Sequence, residues 1–228
     1  MGRRHGDPHY STARLTELSA RLKRSRLGAT PSEARGEGPP RGIAPPPEII
    51  LFTDHMRLAK PERVIRALPP GRSAVILRDY QRPDRARWAR ALADYARGFG
   101  VQVYVGADFR LARAINADGV HIPRWHIPRS VSGSQVIARR QGLRLSASVH
   151  SMDEARRARM IMADWVVISP VFETGSHPEA SALGRWNAND LVRVAQRPAV
   201  ALGGVNWQSP VRALQHFSGL AGVTSFVS

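Results

Sequence analysis

Cysteine is absent from the 228 residues. Its absence excludes disulfide frameworks, thiolate zinc sites, iron–sulfur clusters and cysteine nucleophiles together. Long apolar runs are missing too: none approaches the roughly 18–20 residues a membrane span needs. The first 30 residues are charged and lack the hydrophobic centre of a secretory signal. Cytoplasm is therefore the expected location. Lysine is nearly absent, with only Lys23 and Lys60 among 34 Lys+Arg against 18 Asp+Glu. What remains is 43% hydrophobic and 23% charged, enough apolar content for one domain and incompatible with disorder throughout.

The net charge of +16 is almost wholly arginine. These arginines are scattered over several segments, as in Arg82, Arg85, Arg87, Arg90 and Arg97, then Arg139, Arg140 and Arg144, then Arg156, Arg157 and Arg159. Nucleic-acid recognition needs charge gathered on one surface. Charge spread over amphipathic segments reads as solvated helix faces. No membrane is expected as partner, and a nucleic acid, recognised through charge alone, is only the weakest of the readings.

Residues 1–47 read as an extension. Leu15, Leu18 and Leu22 recur at helical spacing between a Ser11 or Thr12 cap and Gly28, with Arg21, Lys23, Arg24 and Arg26 in the last turns. Pro31, Pro39, Pro40 and Pro45-Pro46-Pro47 then make an extended linker. Residues 48–228 form the second unit. There, short β-branched runs alternate with helical stretches. Strands are expected at 49–53, 74–77, 101–105, 119–122, 143–149, 165–168, 199–202 and 222–226. Helices are expected at 61–68, 84–98, 109–115, 134–141 and 189–196, with Ser151 and Glu154 as a capping box for another and Ser209-Pro210 opening the last.

Strict β/α alternation demands parallel strands with helical crossovers. A closed barrel and an open doubly wound sheet compete. The open sheet places a glycine fingerprint after its first strand, whereas here that strand ends Thr53-Asp54-His55-Met56. Gly36-Glu37-Gly38 lies in the linker. The expectation is a small (β/α)8 barrel lacking an eighth helix, below the roughly 200-residue low end of the fold. The helix at 11–27 is expected to pack between the first and seventh helices in its place.

Catalytic groups of such barrels sit just past the C-terminal ends of the strands. Those positions hold Asp54 and His55, Arg78 and Asp79, Asp108, His121 and His126, Ser148 and His150, Thr174, Ser176 and His177, Gly203 and Gly204, and Ser225. Hydroxyls, imidazoles and an arginine on one rim suit a phosphorylated substrate. The Gly203-Gly204 pair reads equally as a place where amides approach phosphate and as a plain tight turn. His121 reads first as a side chain lining the barrel, and His55 as a surface residue.

The order of the segments says more. Ala117-Asp118-Gly119-Val120-His121-Ile122 is followed by Ser148-Val149-His150-Ser151-Met152-Asp153-Glu154-Ala155. Ala163-Asp164-Trp165-Val166, Ser169-Pro170-Val171-Phe172-Glu173-Thr174 and Pro198-Ala199-Val200-Ala201-Leu202-Gly203-Gly204 come next. From about Ile49 onward this series resembles the thiamine phosphate synthase / TenI family of β/α barrels.

The resemblance implies a rim that binds a thiazole phosphate and, in the synthases, a pyrimidine diphosphate joined to it with magnesium assistance. It implies roles for Arg78 at the second strand, with Asp79 beside it, and for Ser148 in the pyrimidine site. Thr174 and Ser176 stand for a threonine pair, and Gly203 and Gly204 for the thiazole-phosphate glycines. The end of the eighth strand, near Ser225, stands for a second phosphate contact. The departures concern magnesium and lysine. The family's Gln-Leu-Arg-Glu-Lys is here Ile76-Leu77-Arg78-Asp79-Tyr80, and its Asn-Asp pair is Gly106-Ala107. A second aspartate aligns with His126, and a further lysine with His177. Magnesium is thus expected from the family while its ligands are substituted.

In the TenI branch, a thiazole tautomerase, the histidine at the sixth strand aligns with Pro170. His150 or His177 is then the candidate base, and Arg78 the third candidate catalytic group. The readings carried forward are a thiamine phosphate synthase-like protein, a tautomerase, and a non-catalytic phosphate-ligand-binding descendant. Each takes a phosphorylated heterocycle, and each leaves room for a homo-oligomer.

Overall fold

The computed structural model describes residues 45–172, 184–205, 214 and 216–224, together with Glu17, Ala20 and Arg21. Of the expected helix at 11–27 only Glu17, Ala20 and Arg21 are described, and they are helical; the linker before Pro45 and the Ser209-Pro210 start of the last helix lie outside the described residues, as do Thr174, Ser176, His177 and Ser225.

Eight parallel strands close into a barrel in sequence order. They are β1 (Ile49–Phe52), β2 (Ser73–Leu77), β3 (Gln102–Gly106), β4 (Gly119–Ile122), β5 (Arg144–Val149), β6 (Trp165–Ile168), β7 (Ala199–Ala201) and β8 (Gly219–Gly222). Closure comes from β1 pairing β8, with Ile49 opposite Leu220 and Leu51 opposite Gly222. The described helices are α1 (Pro61–Ile65), α2 (Arg85–Gly98), α3 (Phe109–Ala114), α4 (Gly133–Arg140), α5 (Met152–Met160) and α6 (Gly184–Ala195).

Strands buried on both faces explain the nearly continuous apolar runs in the sequence. One face fills the barrel with Ile50, Phe52, Ile76, Tyr104, Trp165, Val167 and Val200. The other face meets the helices, as Leu51, Val75 and Val103 do with Leu92 and Ala96. Tyr104 and Trp165 meet edge to face at 5.3 Å in the barrel centre. A Cβ at Gly119 would overlap the Tyr104 ring and the Arg144 carbonyl, so only glycine admits that ring.

Two motifs of the resemblance turn out to be structural. Asp118 Oδ2 accepts the Val103 amide at 2.7 Å while the Asp118 amide donates to the Val103 carbonyl. Asp164 repeats the arrangement one strand pair later, with Leu145 at 2.6 Å. Each Ala-Asp step thus latches the entry of a strand onto an earlier one, at the barrel end opposite the catalytic rim.

Three expectations change. The eighth strand is Gly219–Gly222, starting three residues before the expected 222–226; Val223 and Thr224 lie beyond its end, and 225–226 lie outside the described residues. Pairing with β1 and the tight approach of Gly219 to the Pro47 and Glu48 carbonyls set the start of the strand despite its low β propensity. The first helix stops at Ile65, and Ala67 and Leu68 continue it with i→i+3 bonds before Pro69-Pro70. At Ser151 the serine caps as expected, accepting from the Glu154 amide at 3.3 Å, but the glutamate reaches one residue further back, to the His150 amide at 2.6 Å. A complete capping box occurs instead at Ser132 and Gln135.

Candidate active site at the barrel mouth

Strand alternation decides which rim residues point inward. Continuing the interior series Phe52, Ile76 and Tyr104 by two residues reaches Asp54, Arg78 and Gly106. On β4 and β5 the same parity selects His121, Ser146 and Ser148, and then His150.

These side chains assemble in two groups. On the β4–β5 side, His121 is 1% exposed. Its Nδ1 lies 2.9 Å from Ser146 Oγ and its Nε2 lies 2.8 Å from Ser148 Oγ. Its ring meets Phe52 edge to face at 5.3 Å. Burial first, and then the charges of Arg78 and His150, push the His121 pKa down to about 3. His121 is therefore neutral at physiological pH and lines the barrel, as expected. Arg78 lies over the same Phe52 ring, 5.6 Å from its centroid, and His150 stands at the end of β5 two residues beyond Ser148. Glu154, buried, accepts the His150 amide and the Arg124 guanidinium (3.2 Å), which holds the end of β5 in place.

The β1–β2 ends are laced by ion pairs. Arg78 Nη2 donates to Asp54 Oδ2 at 2.9 Å, and Arg57 shares that carboxylate at 2.8 Å. Burial works to raise the Asp54 pKa, but the bond and charge of Arg57 and the charge of Arg78 outweigh it and hold Asp54 below the usual carboxylate range. The Arg78 amide donates to Thr53 Oγ1 at 2.9 Å, tying the two strand ends together. Asp79 points away from the mouth and accepts both the His55 amide (2.8 Å) and its Nδ1 (2.9 Å). Its buried Oδ2 has no hydrogen-bond partner. His55 is on the surface, its side chain 55% exposed, but the Asp79 contact orients it. The sequence offered no signal for that pairing, because the two residues meet only through the β1–β2 register.

The β2–β3 corner is filled by a residue that was noted only as a departure. A Cβ at Gly106 would come within 2.9 Å of Tyr80 Cε1 and 3.0 Å of its hydroxyl, so the tyrosine ring lies directly over the end of β3. Arg85 Nη2 donates to the Gly106 carbonyl at 2.6 Å, and the guanidinium lies over the Tyr80 ring, 5.5 Å from its centroid. Burial raises the Tyr80 pKa against the charges of Arg78 and Arg85. Trp125, 66% exposed, stands edge-on to Tyr80 at 5.6 Å.

Gly203 and Gly204 adopt φ of +90° and +65°. A Cβ on Gly203 would sit 2.8 Å from Pro170 Cα, and the Phe172 amide donates to the Gly203 carbonyl at 3.1 Å. The turn and the close approach to the β6 loop thus already require glycine there.

Magnesium seeks oxygen ligands in near-octahedral geometry. Asp108, the carboxylate adjacent to the substituted pair, caps α3 by accepting the Leu111 amide at 2.9 Å and faces Arg85 at 3.4 Å. Asp54 is shared by two arginines. Among the described residues no three His, Cys, Asp or Glu side chains come together in a way that could hold a metal ion. The described residues do not fit magnesium.

The comparisons with known proteins agree with this geometry. Residues 49–226 match the TMP-TENI family, described as thiamine monophosphate synthase. The chain belongs to this family. A putative thiamine-phosphate synthase 2 of Aquifex aeolicus is 28% identical over 186 residues, covering 79% of this chain and 98% of that protein. A thiamine-phosphate synthase of Moorella thermoacetica is 31% identical, covering 69% and 76%. Among solved structures, thiamine phosphate pyrophosphorylase from Pyrococcus furiosus superposes with a TM-score of 0.64 at 26% identity, covering 78% of this chain and 86% of that one. Family membership therefore spans the whole barrel. No helix among the described residues is long and apolar enough to cross a membrane.

Proposed function

We propose that this protein acts in thiamine biosynthesis on a thiazole phosphate bound at the barrel mouth. The observation that carries the reading is the contact of His121 with Ser148 and of both His121 and Arg78 with Phe52 at the strand ends, within a barrel whose relatives are named thiamine-phosphate synthases.

Arg78 supplies a fixed cation to the phosphate, positioned by Asp54 and backed by Phe52 at 5.6 Å. Neutral His121 holds the Ser148 hydroxyl toward the mouth, so that Ser148 recognises the heterocycle without adding charge. Gly203 and Gly204 provide a turn on which backbone amides approach an anion. His150, at the end of β5, is the group suited to move a proton near neutral pH.

Two reactions use that equipment differently. The condensation in the relatives' names joins thiazole phosphate to a pyrimidine diphosphate. Tautomerisation of the thiazole needs only a base and a phosphate anchor. The second reading is favoured by the rim itself, where imidazole and guanidinium stand in place of free carboxylates.

The test is to supply purified full-length protein with both substrates, with and without magnesium, and to follow thiamine phosphate, diphosphate and the thiazole tautomers by liquid chromatography. Thiamine phosphate formation establishes the synthase. Tautomer conversion abolished by His150→Ala establishes the tautomerase. Neither, with saturable thiazole-phosphate binding, leaves a ligand-binding descendant. No binding at all defeats the reading.

A further inference from the structure

The substitutions that remove the family's magnesium and lysine positions are not scattered losses. Tyr80 and Gly106 are two of them, and they are in contact: the tyrosine ring occupies the space that any side chain at 106 would need. Arg85 completes the unit by bonding the Gly106 carbonyl, facing Asp108 and covering the tyrosine ring. Trp125 reaches across from the loop after β4 to the same tyrosine.

Carboxylates on this side are all engaged. Asp54 is held by Arg57 and Arg78, Asp79 by His55, Asp84 by Arg82 and Asp108 by Arg85 and the α3 amide. A hard divalent cation arriving here would have to strip a guanidinium from Asp54, Asp84 or Asp108, and the unpartnered oxygen, Asp79 Oδ2, is buried out of its reach. A diphosphate would have to displace a ring packed against backbone.

We propose that Tyr80, Gly106 and Arg85 form a plug that closes the β2–β3 corner to a metal-bound diphosphate, leaving a mouth that takes a monophosphorylated heterocycle without magnesium. This deepens the thiazole-phosphate reading and rests on it for the identity of the ligand, while the closure itself is judged separately. The exposed face of Trp125 beside the plug is an aromatic shelf of the kind on which a flat heterocycle stacks.

The closure is tested with Mn2+ as a paramagnetic substitute for magnesium, titrated into the full-length protein with inorganic pyrophosphate and followed by electron paramagnetic resonance. The expected result is no saturable Mn2+ site on the wild-type chain. The triple variant Tyr80→Lys, Gly106→Asn, Ala107→Asp is expected to gain one. Aspartate suits position 107, where φ is +61°. Saturable binding of Mn2+ to the wild type in the presence of pyrophosphate overturns the proposal whether or not the triple variant folds. In a parallel calorimetric titration, thiazole phosphate affinity is expected to change by less than about twofold between magnesium and EDTA, since no rim ligand suits the ion. A strict magnesium requirement overturns the plug. Absence of thiazole-phosphate binding in both buffers, with Mn2+ also unbound, strikes instead at the functional reading.

Discussion

On the β4–β5 side of the mouth, His121 stands between Ser146 and Ser148 with both ring nitrogens engaged. On the β2–β3 side, Tyr80 lies against Gly106 under the Arg85 guanidinium. One side holds small hydroxyls around a neutral, buried imidazole. The other spends its space on a ring and on ion pairs satisfied within the protein. The contrast teaches that one barrel rim can carry two chemistries, polar groups around a buried imidazole on one half and an aromatic ring with internal ion pairs on the other, which is what the proposed monophosphate mouth and closed corner rest on.

Removing His121 should have the largest effect. His121→Ala leaves a cavity against Phe52, the buried Ser146 hydroxyl without its partner and the half-buried Ser148 hydroxyl released, and should cost about 3 kcal/mol of stability. Urea unfolding measures this, and a loss below about 1 kcal/mol would mean that the polar half is not the rigid one. Gly106→Ala tests the other half. Its Cβ meets both Tyr80 and the Leu77 carbonyl, which lies 3.0 Å away, and the expected cost is about 2 kcal/mol. Because the tyrosine is the softer of the two neighbours, the added change Tyr80→Ala should recover part of that loss, giving clear non-additivity in a double-mutant cycle.

Arg78→Gln should weaken thiazole-phosphate binding by about tenfold or more, through loss of a charge-assisted contact, with a smaller effect on stability because Arg57 still neutralises Asp54. Calorimetry reads the affinity. An unchanged value would move the phosphate away from this arginine.

The His121 pKa gives a pH signature. Its folded value of about 3 lies below the ordinary 6.5, so the unfolded chain takes up a proton first as pH falls. The resulting loss of stability begins near pH 6.5 and continues toward pH 3, at about 1 kcal/mol per pH unit. Asp54, held low by its arginines, adds to the loss only near and below its ordinary value of 3.8. Between pH 6 and pH 5 the slope therefore belongs chiefly to histidine, and His121→Asn should flatten it. Smallest is the helix cap: Ser151→Ala should cost about 1 kcal/mol, read from the thermal midpoint.

The barrel was legible because β/α alternation shows in residue types alone. Ile49–Phe52 and Trp165–Ile168 are apolar on both faces, and Ser151 caps where a cap is expected, while the caps at Ser132 and Asp108 emerge only in the structure. The eighth strand was not legible, because Gly-Leu-Ala-Gly carries no β preference and becomes a strand only by closing the ring against β1. At the site, Arg78, Ser148 and His150 could be placed on one rim by counting strand ends. The contacts among Tyr80, Gly106, Arg85 and Trp125 could not. They depend on register across three strands, although the replacement of a lysine by tyrosine beside an asparagine replaced by glycine was a signal of paired change. Asp118 and Asp164 show the converse, since strongly patterned residues proved to latch backbone rather than to touch substrate.

The central claim is that one phosphorylated thiazole binds at the Arg78–Ser148–His150 mouth with no help from a metal. Calorimetric titration of the full-length protein with thiazole phosphate in EDTA tests it most directly. One saturable site per chain, weakened in Arg78→Gln, is the predicted result; no heat in EDTA and full binding on adding magnesium would contradict it.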